Sequence, residues 1–207
     1  MKKVILDLCG GTGAWSKPYK EAGFDVQLVT LPKYNVLTAQ FGSQEVWFPE
    51  NNEFALKIEI ESVYGILAAP PCTEFSKAKL FHGKGNYTHD FALELVIACL
   101  KIIAMIQPKW WALESPNGYL KRWMGEPQAI FEPWHYGDTY QKTTLLWGKF
   151  NMPEAIIKEK PSGMKKFSML HSNEIAPEYH GIYDRTVRRS ITPARFAQAF
   201  FKANSDY

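Results

Sequence analysis

Tyr64-Gly-Ile-Leu-Ala-Ala-Pro-Pro-Cys-Thr-Glu-Phe-Ser76 is an apolar run that halts at two prolines and then presents a thiol. A short, continuous apolar run bounded by breakers predicts a strand buried on both faces over Tyr64 to Ala69. Pro70 and Pro71 fix their own φ angles and push the residues before them out of helical space, so the chain must leave the sheet there. Cys72 is thereby expected on a stiff loop at a strand's carboxyl end, the edge at which open α/β sheets bind ligands. Beyond it, Lys77 to His89 is polar and carries Gly83 and Gly85. That stretch reads as a loop, either a lid over a substrate or plain surface.

Upstream, Val4-Ile-Leu-Asp-Leu8 predicts a buried strand that runs into Cys9-Gly-Gly-Thr-Gly13. Ala14 to Ala22 then suits a helix, with Pro18 in its first turn and Gly23 as its stop. Strand, glycine turn and helix open a nucleotide-type βαβ unit, because bare backbone lets a ligand come close and a helix amino terminus offers unpaired N–H groups. The dinucleotide pattern Gly-x-Gly-x-x-Gly does not fit. The order Asp-x-x-Gly-Gly-x-Gly, with Asp7 inside the strand, suits a ligand bearing an amino group and a carboxylate; a tight turn with nothing bound is the alternative. Asp25 to Leu31 predicts a second strand. The acid that accepts ribose hydroxyls at such a strand's end is missing from Thr30-Leu-Pro-Lys-Tyr-Asn35. From Tyr34 to Ser62 the pattern is open, since Phe54 to Glu61 alternates like a strand where a connecting helix would be convenient.

Downstream, Thr88 to Ile106 predicts the longest helix, with apolar residues at 91, 92, 95, 96, 99, 102, 103 and 106. Cys99 falls on that stripe and reads as core. Lys109-Trp-Trp-Ala-Leu-Glu-Ser-Pro116 predicts another strand ending at a proline, which brings Glu114 to the edge of Cys72 if the sheet is parallel. Two strands that each finish in a reactive side chain and a proline turn point to a site. Asn117 to Met124 suggests a short helix stopped by Gly125, and Pro127 to Pro133 a loop. Trp134 to Trp147 suggests a hairpin about Gly137-Asp138, with the sheet's antiparallel strands there. Gly148 to Ser190, Lys- and Pro-containing with weak periodicity, reads as irregular structure or a small subdomain. Thr192-Pro193 suggests a cap and first residue for a closing helix, Ala194 to Ala203, with Phe196, Ala197, Phe200 and Phe201 as its apolar face.

These elements describe one α/β domain around a mostly parallel sheet with helices on both faces and an antiparallel hairpin near the carboxyl-terminal end. At 207 residues and 46% hydrophobic the chain can bury a full core. It offers no apolar stretch near the ~20 residues that cross a bilayer and no signal-peptide pattern, so a soluble, cytoplasmic protein is expected. Three cysteines without Cys-x-x-Cys spacing argue for a reducing compartment and against a metal site. The net charge of +3 is uneven: residues 149–207 hold ten Lys and Arg against six Asp and Glu, while residues 1–148 hold fourteen against fifteen. A basic tail of this kind fits a phosphate-binding face and a solvated surface alike.

The series Asp-Leu-Cys-Gly-Gly-Thr-Gly, Pro-Pro-Cys-Thr-x-Phe-Ser, Glu-Ser-Pro-Asn-Gly and Arg189-x-x-Thr-Pro-x-Arg195 resembles, in order and spacing, the DNA cytosine-5 methyltransferases, and among them the short phage-type members. The resemblance implies a Rossmann-like methyltransferase fold, with a catalytic domain over 1–148 and 189–207 and a minimal target-recognition-like insert over 149–188. It implies an enzyme that uses S-adenosylmethionine, acts on a cytosine flipped out of DNA, needs no metal or membrane and works as a monomer. So small an insert predicts little or very short sequence specificity.

Carbon 5 of cytosine is a poor nucleophile, so enzymes of this family add a thiolate to carbon 6 and turn the ring into an enamine. Cys72 matches that nucleophile, and Glu114 matches the residue that protonates or hydrogen-bonds ring nitrogen 3. By the same resemblance, Asp7, Cys9, Gly10, Gly11, Thr12, Gly13 and Trp15 would line the cofactor, Trp15 on the sulfonium side. Thr30 and Leu31 are the candidates left at the ribose end, and Ala69 and Pro70 would form the floor between cofactor and base. Pro71, Ser76, Lys142, Arg189 and Arg195 would meet the substrate, and Lys77 to His89 would fold over the flipped base. The family's Glu-Asn is Glu114-Ser115 here, and its Gln-x-Arg-x-Arg segment is Gln141-Lys-Thr-Thr-Leu. An RNA or free-nucleotide substrate, and a non-catalytic homologue that binds nucleic acid or S-adenosylmethionine, stay open as alternatives.

Overall fold

A computed structural model describes residues 2–50, 54–71, 75, 90–171, 174, 180–182 and 184–207. In chain order the elements are β1 (Val4–Leu8), α1 (Lys17–Glu21), β2 (Asp25–Val29), β3 (Gln40–Phe41), β4 (Glu45–Glu50), β5 (Phe54–Glu59), β6 (Val63–Ala68), α2 (Asp90–Ile106), β7 (Trp110–Pro116), α3 (Lys121–Met124), β8 (Ala129–Phe131), β9 (Tyr140–Gln141), β10 (Thr144–Lys149), β11 (Lys165–Lys166), α4 (Arg185–Ser190) and α5 (Ala194–Asn204). Six strands form the central sheet in the order β2-β1-β6-β7-β10-β8. The first four are mutually parallel, and β10 runs antiparallel to both of its neighbours.

Every residue of β1 and β6 is buried, as an apolar run covered on both faces requires. Side chains alternate between the faces. Leu6, Leu8, Ile66, Ala68 and Leu113 join the α2 residues Val96, Cys99, Ile102 and Ile103, together with Val46, Phe48 and Ile58 of β4 and β5. Ile5, Leu67, Ala112 and Leu146 face the other way, onto Trp15, Tyr19, Phe196 and Phe200. Helices therefore cover both faces. The bare backbone of Gly65 lets Trp110 lie against β6, since a Cβ there would sit 2.2 Å from the indole. Tyr19 stacks on that indole, their centroids 5.5 Å apart. Among the described residues, no helix is long and apolar enough to cross a membrane.

The structure settles one open stretch and changes several local expectations. The open stretch before β6 is a separate antiparallel sheet, β3-β4-β5, with Val46, Phe48 and Ile58 turned to the core. The hairpin about Gly137-Asp138 is absent. Pro133 to Tyr136 forms a 3₁₀ turn that starts on a proline and closes at Gly137 in left-handed backbone, φ 94°. The strand that pairs with β10 is Ala129–Phe131, inside the segment that reads as a loop, and β10 inserts between it and β7. On α2 the expected stripe is buried except for Phe91, which is 60% exposed. Thr88 and His89 lie outside the described residues. Thr192 does not cap α5, because Pro193 takes the N-cap position and no side-chain cap bond forms.

Candidate active site

The register of the parallel strands builds the site. Val29, Leu8, Ala68 and Leu113 are paired in one row across β2, β1, β6 and β7. Of the residues that follow them, Thr30, Cys9 and Ala69 leave the sheet side by side at its carboxyl edge, level with Glu114 on β7, which runs on to Pro116. Backbone bonds hold the row, from Cys9 N–H to the Val29 carbonyl at 2.8 Å and from Ala69 N–H to the Leu8 carbonyl at 2.9 Å. Pro70 is buried and Pro71 exposed beyond it. Cys72 and Ser76 lie outside the described residues, as does the Lys77 to His89 loop.

Beneath the glycine turn, Asp7 is fully buried and accepts a hydrogen bond from Ser16 Oγ at 2.5 Å, while its Oδ1 is without a partner. Gly10 is required there, because a Cβ would fall 2.1 Å from that Oδ1. Gly11 and Gly13 take left-handed φ angles of 55° and 71°, which glycine adopts without strain. Cys9, at φ 58°, does so without being glycine. Gly11 and Thr12 are exposed. Ser190, at the end of α4, lies 3.7 Å from where a Cβ on Gly11 would be. That contact brings the Arg189-x-x-Thr192 segment to the same edge, with the Arg189 side chain exposed.

Asp7 and Trp15, both expected at the cofactor, are buried: Asp7 braces the turn through Ser16, and Trp15 packs on Phe200 with centroids 5.4 Å apart. Trp15 sits where α1 meets α5, so the aromatic core claims it. Ser16 is a residue that sequence reasoning misses; it stands at the N-cap of α1 but gives no cap bond, its hydroxyl going to Asp7. At the ribose end, Leu31 is 64% exposed and Thr30 half-buried. The Asn35 side-chain carbonyl oxygen is already used, accepting from Leu37 N–H as the cap of a 3₁₀ turn.

Burial raises the Asp7 carboxyl from 3.8 to about 6 despite the bond from Ser16. A raised folded pKa means that the folded state binds the proton more tightly than the unfolded chain. Asp7 therefore contributes stability below about pH 4 that is lost as pH climbs to about 6, on the order of 3 kcal/mol in all. Asp7→Asn is expected to remove that part of the slope. Urea unfolding of both proteins between pH 4 and pH 7, without ligand, reads it as a difference profile, and identical slopes would refute it.

Glu114 stands half-buried on β7, opposite Leu146 of β10. Burial raises its carboxyl above the usual range, and the nearby Lys142 ammonium draws it back in part. Lys142 is itself positioned, donating Nζ to the Ile191 carbonyl at 2.9 Å and lying 5.3 Å from the Phe167 ring centroid. Arg195 turns to Asp138, with Nε 4.0 Å from Oδ1, and lies over Gly137. On α2, Cys99 is fully buried. A hydrogen bond with the Cys9 thiol, reinforced by burial, holds the Cys99 thiol well above its ordinary range, which suits packing and not nucleophilic attack.

A mostly parallel sheet whose aligned strand ends carry a glycine turn, a Pro-Pro turn and a raised carboxyl defines an α/β fold. The chain is distantly homologous to DNA cytosine-5 methyltransferases: over 94 residues it is 33% identical to the "Probable DNA (cytosine-5)-methyltransferase" of Frog virus 3 (isolate Goorha). That stretch covers 40% of this chain and 44% of the viral protein, so the chain spans less than half the length of the curated relative it matches. No family model matches. Among solved structures, a prophage-encoded protein of E. coli assigned as a DNA modification methyltransferase aligns at TM-score 0.42 and 15% identity. It covers 71% of this chain and 46% of its own, a likeness too loose to bear on function.

Proposed function

We propose that the chain transfers a methyl group from S-adenosylmethionine to carbon 5 of a cytosine flipped out of DNA, with Cys72 as transient covalent nucleophile and little sequence preference. The observation that carries this reading is the strand-end row, which sets Glu114 beside the exit of β6 toward Cys72 and both beside the glycine turn. In this reading residues 1–148 and 189–207 form the catalytic body, residues 149–188 the insert, and a monomer suffices.

The turn fits the methionine end of such a cofactor. Gly10, Gly11, Thr12 and Gly13 present bare or exposed backbone, and the space a Cβ would fill at Gly10 is closed by the Asp7 carboxylate below. Cys9, Thr30 and Leu31 would hold the nucleoside, with Ala69 and Pro70 as the floor. When bound, S-adenosylmethionine would supply an electrophilic methyl group to carbon 5, its methyl–sulfur bond breaking and the neutral thioether leaving. Cys72 adds its thiolate to carbon 6 of the cytosine, and the ring's electron pair is pushed toward carbon 5. Glu114, whose protonated form burial favours, donates to ring nitrogen 3 and stabilises the enamine. Once carbon 5 is substituted, its proton passes to water, the bond from carbon 6 to the Cys72 sulfur breaks, and the thiolate and ring are restored. Lys142, Arg189 and Arg195 would bring positive charge for the DNA phosphates, and Pro71 and Ser76 would also meet the substrate.

Labelled methyl transfer from S-adenosylmethionine to duplex DNA, single-stranded DNA, RNA and dCMP, run side by side, tests the reading. Label at cytosine carbon 5 of DNA is expected. Label confined to RNA or dCMP would move the substrate, and no transfer to any of the four would leave a non-catalytic binding protein.

A further inference from the structure

We infer that Glu132 is a positioning residue for the reaction proposed above: its carboxylate ties down the connection between β9 and β10, which carries Lys142 and holds the chain just beyond Glu114. The kinetic consequence rests on that reading, and the tie on the geometry alone. β9 pairs with β11, and β10 with β7 and β8, so Lys142 and Thr143 join two different sheets and belong to neither ladder. Both are half-buried, and backbone groups outside a ladder need other partners. Glu132, between β8 and the 3₁₀ turn, answers with both oxygens: Oε2 accepts Lys142 N–H at 2.8 Å, and Oε1 accepts the Thr143 hydroxyl. Its own N–H donates to His135 Nδ1 at 3.3 Å, which holds Glu132 in turn.

What the tie holds reaches Glu114 by two routes. The Thr143 carbonyl accepts Asn117 N–H at 3.1 Å, which pins the chain as it leaves β7. Lys142 reaches the carboxyl through its charge. Glu114 stands level with Ala69 on one side and opposite Leu146 on the other, neither of them charged, and among the described residues Lys142 is the charged group that acts on it. Its ammonium draws the Glu114 carboxyl down from where burial sets it. The far end of Lys142 is anchored on the Ile191 carbonyl, so its backbone must be fixed as well if the ammonium is to keep one distance from Glu114. Bonds to an ionised carboxylate are stronger than neutral ones and suit that task. Displacing a reacting group or its partner by about 1 Å costs on the order of 10²-fold in rate.

Variants of the full chain test this. Glu132→Ala is expected to lose about 10- to 10²-fold in kcat while KM for S-adenosylmethionine stays within about threefold, because the glycine turn is untouched. Glu132→Gln should keep kcat within about threefold, since its amide oxygen accepts from Lys142 N–H and the Thr143 hydroxyl can turn to accept from its amide nitrogen. In the Lys142→Met background the loss on Glu132→Ala should shrink at least about fivefold, the mark of a residue acting through its neighbour. The Glu114 carboxyl, followed by NMR with isotopically labelled glutamate and assigned by its absence in Glu114→Gln, should titrate at higher pH in Glu132→Ala and in Lys142→Met than in the parent. If Glu132→Ala does not fold, Thr143→Val removes one of the two bonds and should show the same signs in smaller measure, judged in the same way. A folded Glu132→Ala with parental kcat or an unmoved Glu114 titration overturns the inference, as does a Glu132→Gln as slow as Glu132→Ala or a loss fully additive with Lys142→Met. If the parent transfers no methyl group to any substrate, the functional reading falls. The Glu114 titration then still decides the tie, an unmoved carboxyl overturning it.

Discussion

Cys72→Ala protein is expected to bind S-adenosylmethionine as the parent does and to transfer methyl groups on the order of 10⁴-fold more slowly, or not at all. The split follows from where the residues stand. The glycine turn and the row of Thr30, Cys9 and Ala69 belong to β1, β2 and β6, and their backbone bonds do not pass through Cys72. A binding titration and a single-turnover transfer assay on the two proteins read the two halves separately. Loss of binding together with transfer would mean that the substitution damages the fold, and retention of transfer would remove Cys72 from the chemistry. The thiol is expected to matter this much because the neighbouring groups along the edge are poorly suited to add to carbon 6: burial favours the protonated form of Glu114, and the Cys9 thiol is hydrogen-bonded with Cys99.

Glu114→Gln is expected to slow transfer by about 10²- to 10⁴-fold, the range of a lost general acid. Its stability should move the opposite way. Burial raises the Glu114 carboxyl, so the acid contributes stability below its unfolded value near 4.5 and costs stability as pH rises through its folded value. Glutamine carries no such cost, and at neutral pH the variant should be at least as stable as the parent. A residue whose removal slows the enzyme without destabilising it is held for function. The pH–rate profile adds a second reading. The parent should rise with pH as Cys72 ionises and fall as Glu114 gives up its proton, while the variant should lack the falling arm. Equal rates and identical profiles would assign Glu114 to packing.

Much of this site is legible in the residues themselves, because breakers mark strand ends. Pro70-Pro71 after Ala69 and Pro116 after Ser115 set where β6 and β7 stop, and the continuous burial of β6 follows from its unbroken apolar run. What single strands cannot declare is register, and register is what places Glu114 level with Ala69 and Cys9. Non-local competition hides the rest. Trp15 follows the glycine turn as a ligand contact would, yet the aromatic faces of α5 lie beside it and bury it. Trp134-His-Tyr136 has the aromatic content of a strand, but a proline before it and a glycine after it close a 3₁₀ turn. The strand β8 has no signature of its own because it is three residues long and stable only through its pairing with β10. Ser16 carries no local signal, since it acts on a partner nine residues away, Asp7.

The most direct test of the central claim is covalent capture. DNA with 5-fluorocytosine blocks the loss of the substituent at carbon 5, so the bond from carbon 6 to sulfur cannot be released. Incubated with S-adenosylmethionine and this DNA, the protein is expected to show by intact mass a one-to-one adduct carrying an added methyl group. Peptide mapping should place it on Cys72, and Cys72→Ala should abolish it. Folded protein that forms no adduct with duplex or single-stranded DNA, or one that maps to Cys9 or Cys99, would contradict the assignment of Cys72 as the nucleophile of a DNA cytosine-5 methyltransferase.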